Sequence, residues 1–357
     1  MPAHFALSPS RIARFFYHEC DRNLRYLATP KAQRNADNIP PPVDESPVTA
    51  AIFEGGYKWE EEVISTHLRD RAHVGRGAGP LRERTHDARA TVELLRTLAP
   101  GELIYQATII PPPGFLSRYG LDPSLVEFRA CRPDLIELVA DEGRPRFRII
   151  DVKASEHLKA SHRVQVSLYA LMLREVLEGA GIDTPVDLEQ GAVWLYKRTE
   201  PDPFRLTMTM GAVEAFLRER LPQILSAPIA DVPWHLFFRC EWCEYFGHCR
   251  KEAEDTRSVS LLPYLSIGGR AYLREAPWGG PPVNTLEELR TMLSASGGAD
   301  ALDACGSLRG RGERLHRVAE ALDDGEPRPH GGSTVGMPVH EHVRLVLTLQ
   351  REPFSGL

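Results

Sequence analysis

Asp151 and Lys153 stand one residue apart in the run Arg146–Lys153, Asp134 follows Arg132 and Pro133, and Gln165 and Tyr169 lie four residues apart downstream. In an extended strand alternate side chains share a face, so Asp151 and Lys153 emerge together while Val152 turns to the core. Asp134, placed on the preceding strand of a hairpin, falls beside them because neighbouring strands are about 4.8 Å apart. Two carboxylates at that separation suit a hard divalent cation such as Mg²⁺, which takes oxygen ligands and keeps several waters. A metal that polarises a phosphoryl oxygen, with an ammonium that stabilises developing charge, is the equipment for phosphodiester hydrolysis. Glu60, with Gly56 one turn before it and Glu61 and Glu62 directly after it, supplies a further acid.

A second constellation is built from thiols. Cys240, Cys243 and Cys249 follow a C-x2-C-x5-C spacing, and Cys20 lies far upstream. Four thiolates divided in this way point to a metal centre that ties two distant parts of the chain together. Zinc favours paired C-x2-C knuckles, and only one close pair exists here; a [4Fe-4S] cluster accepts a fourth thiolate from a remote position. Trp234, Phe237, Phe238, Trp242, Tyr245 and Phe246 surround these cysteines, either as an apolar jacket or as a platform for stacked bases. Cys131 and Cys305 are left over.

The elements that position these residues follow from periodicity. A first helix starting at Ser8 or Ser10 carries Ile12, Phe15, Phe16, Leu24 and Leu27, with Cys20 towards its end. Helices are expected over 53–68, 85–98 and 158–178, and strands over 102–110, 127–139, 146–152 and 191–197, with Asp141-Glu142-Gly143 turning a hairpin. The sum is an α/β core with a half-buried mixed sheet. After Arg250, Gly, Pro and Arg become frequent, and 284–294 and 308–322 read as short helices. Residues 343–349 read as one strand, and His340 and His342 as an exposed strand face.

With 357 residues and 42% hydrophobic content, the chain can bury a substantial core. No apolar run reaches the roughly 18 residues of a membrane span, so a cytoplasmic location without membrane contact is expected. Six cysteines without a signal peptide are thiols or metal ligands rather than a disulfide framework. A net charge of −6 argues against coating nucleic acid by bulk electrostatics. Local charge differs: Arg11, Arg14, Arg22 and Arg25 crowd the first helix, and Arg144, Arg146, Arg148, Lys153, Lys159 and Arg163 cluster around the Asp-x-Lys segment.

The ordered set Glu60, Asp134, Asp151-Val152-Lys153, Gln165 and Tyr169 resembles the PD-(D/E)xK nuclease superfamily, and more closely its RecB-like branch. The resemblance covers roughly residues 8 to 250. It implies a restriction-endonuclease-like mixed central sheet flanked by helices, with a small, mostly helical C-terminal appendage. It also implies that Glu60, Asp134, Asp151 and the Val152 carbonyl bind Mg²⁺ or Mn²⁺, that Lys153 is the catalytic lysine, and that Gln165 and Tyr169 form the trailing motif. The cysteine pattern is similar to that of CRISPR-associated iron-sulfur exonucleases and AddB-type nuclease domains, which implies a [4Fe-4S] staple on Cys20, Cys240, Cys243 and Cys249. Residues 260–289 resemble the linker of Thermotoga-type RecB-family nucleases. That resemblance implies a nuclease domain over 1–255, a helical linker over 256–325, and a tail over 326–357 that starts a curtailed ribonuclease-H-like domain.

The expected activity is a DNA exonuclease acting on single-stranded or resected duplex ends in repair or mobile-element defence, with any helicase a separate partner. A noncatalytic nucleic-acid-binding module and an RNA-directed nuclease are the alternatives, since recognition of a 2′-OH leaves no motif to read.

Overall fold

The computed structural model describes residues 4–43, 47–141 and 144–328. The strand expected over 343–349, His340, His342 and the turn residues Glu142 and Gly143 lie outside the described residues. The chain divides into two compact units, Met1–Trp234 and His235–Leu357.

In the first unit, strands β1 (Phe5–Leu7) and β4 (Val126–Phe128) form a small parallel pair. The central sheet contains β2 (Ala72–His73), β3 (Leu103–Tyr105), β5 (Leu135–Asp141), β6 (Arg144–Lys153), β7 (Gln190–Leu195) and β8 (Asp202–Arg205), in the order β2-β3-β5-β6-β7-β8. β2/β3 and β6/β7 are parallel and the other neighbours antiparallel, so the sheet is mixed. Among its helices are α1 (Pro9–His18), α2 (Asp21–Ala28), α3 (Pro47–Glu62), α4 (Ala88–Thr97) and α5 (Ala160–Ala180). This is a central mixed sheet flanked by helices, the restriction-endonuclease-like arrangement.

Both faces of the sheet are covered, not one. Phe147 and Ile149 on β6 pack with α1 and α5 residues such as Ile12, Val166 and Leu173. Ile150 and Val152 pack on the opposite face with Trp59, Val63 and Ile64. Two buried faces explain why the adjacent Ile149 and Ile150, which point to opposite sides, are both buried. Parallel pairing of β6 with β7 requires a crossover, and α5 provides it. Gly191 brings that helix close: a Cβ there would stand 2.6 Å from Val166 Cγ1.

The expected first helix is broken. Glu19 adopts a left-handed φ of 50° and caps α1, and Cys20 becomes the extended residue that starts α2. The expected 127–139 strand is likewise two strands, β4 and β5, separated by the loop that carries Arg132, Pro133 and Asp134. Three of the crowded arginines serve the fold: Arg11 donates to the Ala6 carbonyl at 2.6 Å, Arg25 lies 4.2 Å from the Phe5 ring centroid, and Arg148 pairs with the Glu137 carboxylate at 2.6 Å.

The second unit has its own apolar cluster, in which Val259, Leu273, Leu286, Leu289, Leu302 and Leu315 are buried. The helix over Leu286–Ser294 opens with a capping box between Thr285 and Glu288. A helix over Ile267–Glu275 joins the two that the periodicity predicts. Among the described residues, no helix is long and apolar enough to cross a membrane.

Candidate active site

Register places the first acid. Leu135 pairs with Ile150, so Asp134, which stands just ahead of β5 rather than on it, falls beside Asp151. The backbone N–H of Val152 donates to Asp134 Oδ2 at 2.7 Å and fixes that carboxylate between Asp151 and Lys153. Lys153 Nζ lies 2.7 Å from Asp151 Oδ2 and 3.8 Å from Asp134 Oδ2. One ammonium therefore bridges both aspartates.

Asp151 is fully buried beneath α5. Gln165 Nε2 donates to the Tyr169 hydroxyl oxygen at 3.1 Å and makes a longer contact of 3.5 Å with Asp151 Oδ1. The helical spacing of Gln165 and Tyr169 points both side chains at this one carboxylate. Asp151 Oδ2 meets the Lys153 ammonium as a buried ion pair. Burial pushes the Asp151 carboxyl well above the usual carboxylate range, against the downward pull of Lys153, with Asp134 adding to the rise. Burial also pulls Lys153 down, but Asp151, Asp134 and Glu60 together outweigh it and hold the ammonium protonated.

The other face of the sheet contributes Glu60. Trp59 anchors α3 by donating its indole N–H to the Trp194 carbonyl at 3.4 Å, and the next residue reaches the end of β3. There Glu60 Oε1 accepts from the Tyr105 hydroxyl at 2.8 Å and from Gln106 Nε2 at 2.7 Å. Burial, then the Asp134 charge, push the Glu60 carboxyl up to about 7, while Tyr105, Gln106 and Lys153 oppose the rise. Glu61 and Glu62 are exposed, which distinguishes Glu60 among three consecutive acids. Gln106 holds a left-handed φ of 52°, a conformation that costs a non-glycine residue on the order of 1 kcal/mol. Its backbone N–H donates to the Asp134 carbonyl at 3.0 Å.

Tyr105, Gln106 and His162 escape the sequence reading. Lys159 N–H donates to His162 Nδ1 at 3.3 Å at the start of α5, and burial pushes this imidazole down to about 3, so it stays neutral. Only the apolar context of Tyr105 and the position of His162 one turn before Gln165 hint at either residue.

The donor set fits a hard cation: three carboxylates, buried Asp151 with Asp134 and Glu60, act on one another across the site. As they stand, with the ammonium bridging the aspartates, no three His, Cys, Asp or Glu side chains among the described residues form a ready-made metal group.

The cysteines are placed as follows. In the first unit Cys20 is the half-buried residue that opens α2. In the second, Cys240 is buried in the short 3-10 helix Phe238–Trp242, and Cys243 caps it with its N–H donating to the Cys240 carbonyl at 2.9 Å. Cys249 follows in the helix Phe246–Asp255. Burial raises the Cys240 thiol. The aromatic residues divide: Tyr245 is buried and Trp234 lies under the Arg22 guanidinium, whereas Phe238 and Trp242 are 73% and 52% exposed. Of the leftover thiols, Cys131 is buried in the first core and pushed up to about 12 by that burial.

Residues 54–250 match the family model of the PD-(D/E)XK nuclease superfamily. Restriction-endonuclease-like topology and that match over more than half of the chain define a nuclease of this class: the chain belongs to the PD-(D/E)XK nuclease superfamily. Membership implies phosphodiester hydrolysis of nucleic acids, and nucleases of the superfamily generally use Mg²⁺ or Mn²⁺. No curated protein matches the chain.

Proposed function

We propose that the protein is a divalent-metal-dependent DNA exonuclease of the RecB-like branch, acting on single-stranded or resected ends in DNA repair or mobile-element defence. The observation that carries the site assignment is the buried Asp151 carboxylate, bridged to Asp134 by the Lys153 ammonium. Asp134, Asp151, Glu60 and the Val152 carbonyl would hold Mg²⁺ or Mn²⁺, and the bound ion would supply polarisation of the phosphoryl oxygen and activation of water. Lys153 places positive charge where the phosphate gains negative charge. Gln165 and Tyr169 keep the Asp151 carboxylate oriented and exclude water from its inner side. Tyr105 and Gln106 hold Glu60 towards Asp134.

The [4Fe-4S] staple on Cys20, Cys240, Cys243 and Cys249 is part of the same proposal. The tight Cys240–Cys243 turn, with Cys249 in the helix that follows, supports a shared role for these three thiols. A separate helicase would expose the ends on which the nuclease acts. The test is a panel of 5′-labelled, 3′-labelled and circular single-stranded DNA, with single-stranded RNA beside them, incubated with Mg²⁺ or Mn²⁺. Degradation of linear DNA from one end is the expected result. Cleavage of circles would replace the exonuclease reading with an endonuclease, and cleavage of RNA alone would replace DNA as substrate.

A further inference from the structure

α3 is an amphipathic helix whose apolar face is already used: Trp59, and Val63 and Ile64 in the π-turn that follows it, are buried against the sheet. Phe53 and Tyr57, nearer the start of the helix, are 48% and 44% exposed. At 3.6 residues per turn, Phe53 lies within about 20° of the azimuth of Glu60, and Tyr57 within about 60°. The two rings stand about 10 Å and about 5 Å up the helix axis from Glu60. Gly56 falls between them, and nothing lies within 4 Å of where its Cβ would be. Thus a stripe of two half-exposed rings, opened by a glycine, leads down to the acid that faces Asp134.

The cations beside the stripe are shared with an acid, Glu54. The Arg82 guanidinium sits 4.5 Å from the Tyr57 ring centroid, and Arg82 and Lys58 each approach Glu54 at 3.8 Å. Two half-exposed rings on one helix offer aromatic faces to a binding partner. Aromatic faces beside cations, continuous with a phosphodiester-cleaving site, match the surface that binds single strands by stacking their bases.

We propose that Phe53 and Tyr57, with Arg82 backing Tyr57, form a base-stacking ramp that guides single-stranded nucleic acid along α3 to Glu60. The proposal rests on the nuclease reading of the site and assigns its substrate selectivity: a duplex, with its bases already stacked, cannot use the two rings. Stacking is insensitive to base identity, so the ramp selects strandedness and not sequence.

The test is fluorescence anisotropy of a labelled twelve-nucleotide oligothymidine and of an abasic oligomer of equal length. The full chain carries Asp151→Asn to prevent cleavage, with Phe53 and Tyr57 intact or as Phe53→Ser/Tyr57→Ser. The ramp predicts at least a tenfold loss of oligothymidine affinity in the serine variant, with little change for the abasic oligomer. Tyr57→Ser alone should lose part of that affinity, while Phe53→Tyr/Tyr57→Phe, which keeps both rings, should retain it. Equal oligothymidine binding with and without the rings overturns the ramp and leaves the surface to a protein partner. Loss for both oligomers alike overturns it too, because the residues would then act on the backbone. Failure of the nuclease reading is distinguishable: wild-type protein would not cut any strand, whatever the rings do to binding.

Discussion

Asp134 is held by the backbone of the strand it serves: its Oδ2 accepts the Val152 N–H at 2.7 Å, one residue from both Asp151 and Lys153. This bond gives the carboxylate a structural duty besides any part in metal binding. The two can be separated by substitution.

Asp134→Asn keeps an acceptor oxygen for Val152 N–H, whereas Asp134→Ala leaves that donor unsatisfied. The asparagine variant should melt within about 0.5 kcal/mol of wild type and the alanine variant about 1–2 kcal/mol lower. Both should lose cleavage by two orders of magnitude or more. Equal melting of the two variants would show that the bond contributes nothing to stability.

From the sequence alone, Lys153→Ala is expected to abolish cleavage with folding and DNA affinity nearly intact. The geometry changes the folding half of that expectation. Lys153 is the ammonium that pairs with buried Asp151 and bridges to Asp134, so its removal should cost about 2 kcal/mol in chelator-treated protein, as Asp151 protonates to escape an unpaired buried charge. Added Mg²⁺ should then raise the melting temperature of the variant more than that of wild type. Thermal melts with and without the ion measure both effects.

Glu60 sets a pH dependence in metal-free protein. Its carboxyl is pushed up to about 7 in the fold by burial and Asp134, against an ordinary value near 4.5. Between these values the folded state binds the extra proton, so this group makes stability fall as pH rises from about 4.5 through about 7. With the opposing pull of Tyr105, Gln106 and Lys153 already contained in that value, the effect is on the order of 3 kcal/mol. Glu60→Gln should remove that slope and stabilise the chelator-treated protein at pH 8 but not at pH 4.5. An unchanged stability profile across this range would contradict the burial assigned to Glu60.

Gly191 tests how closely α5 must approach the sheet. Gly191→Ala drives a Cβ to 2.6 Å from Val166 Cγ1, one residue from Gln165. Overpacking of this kind costs about 1–3 kcal/mol, read as a lower midpoint in urea. Cleavage by the folded variant should fall as well, because Gln165 shifts away from Asp151.

Cys243→Ser addresses the staple. Anaerobically purified wild type should be brown and should lose colour and stability in the variant, since a metal that closes a long loop stabilises the folded chain. Unchanged absorbance and melting would remove the cluster from the account.

What the sequence discloses and what it hides have physical reasons. The alternation of Asp151 and Lys153, and the four-residue step from Gln165 to Tyr169, are local periodicities, and each brings its pair to one site. Glu60 could not be separated from Glu61 and Glu62 by pattern, because three consecutive helix positions differ only by rotation and the choice depends on how Trp59 seats α3. Tyr105 and Gln106 act on a residue over forty positions away, and no local spacing records that contact. The break after α1 depends on left-handed Glu19, a conformation that glycine would have signalled and glutamate does not. β1 and β4 are three residues each and pair in parallel from distant parts of the chain, too short for alternation to register.

The central claim is that the Asp134, Asp151 and Lys153 cluster cuts phosphodiester bonds with a divalent ion. The direct measurement is the rate of degradation of end-labelled single-stranded DNA by wild type and Asp151→Asn, each with Mg²⁺ or Mn²⁺ and with chelator. The account predicts a ladder from wild type that requires the ion, and at least a thousandfold slower product from a folded Asp151→Asn. Cleavage by that variant at the wild-type rate, or by wild type in chelator, would place the chemistry elsewhere.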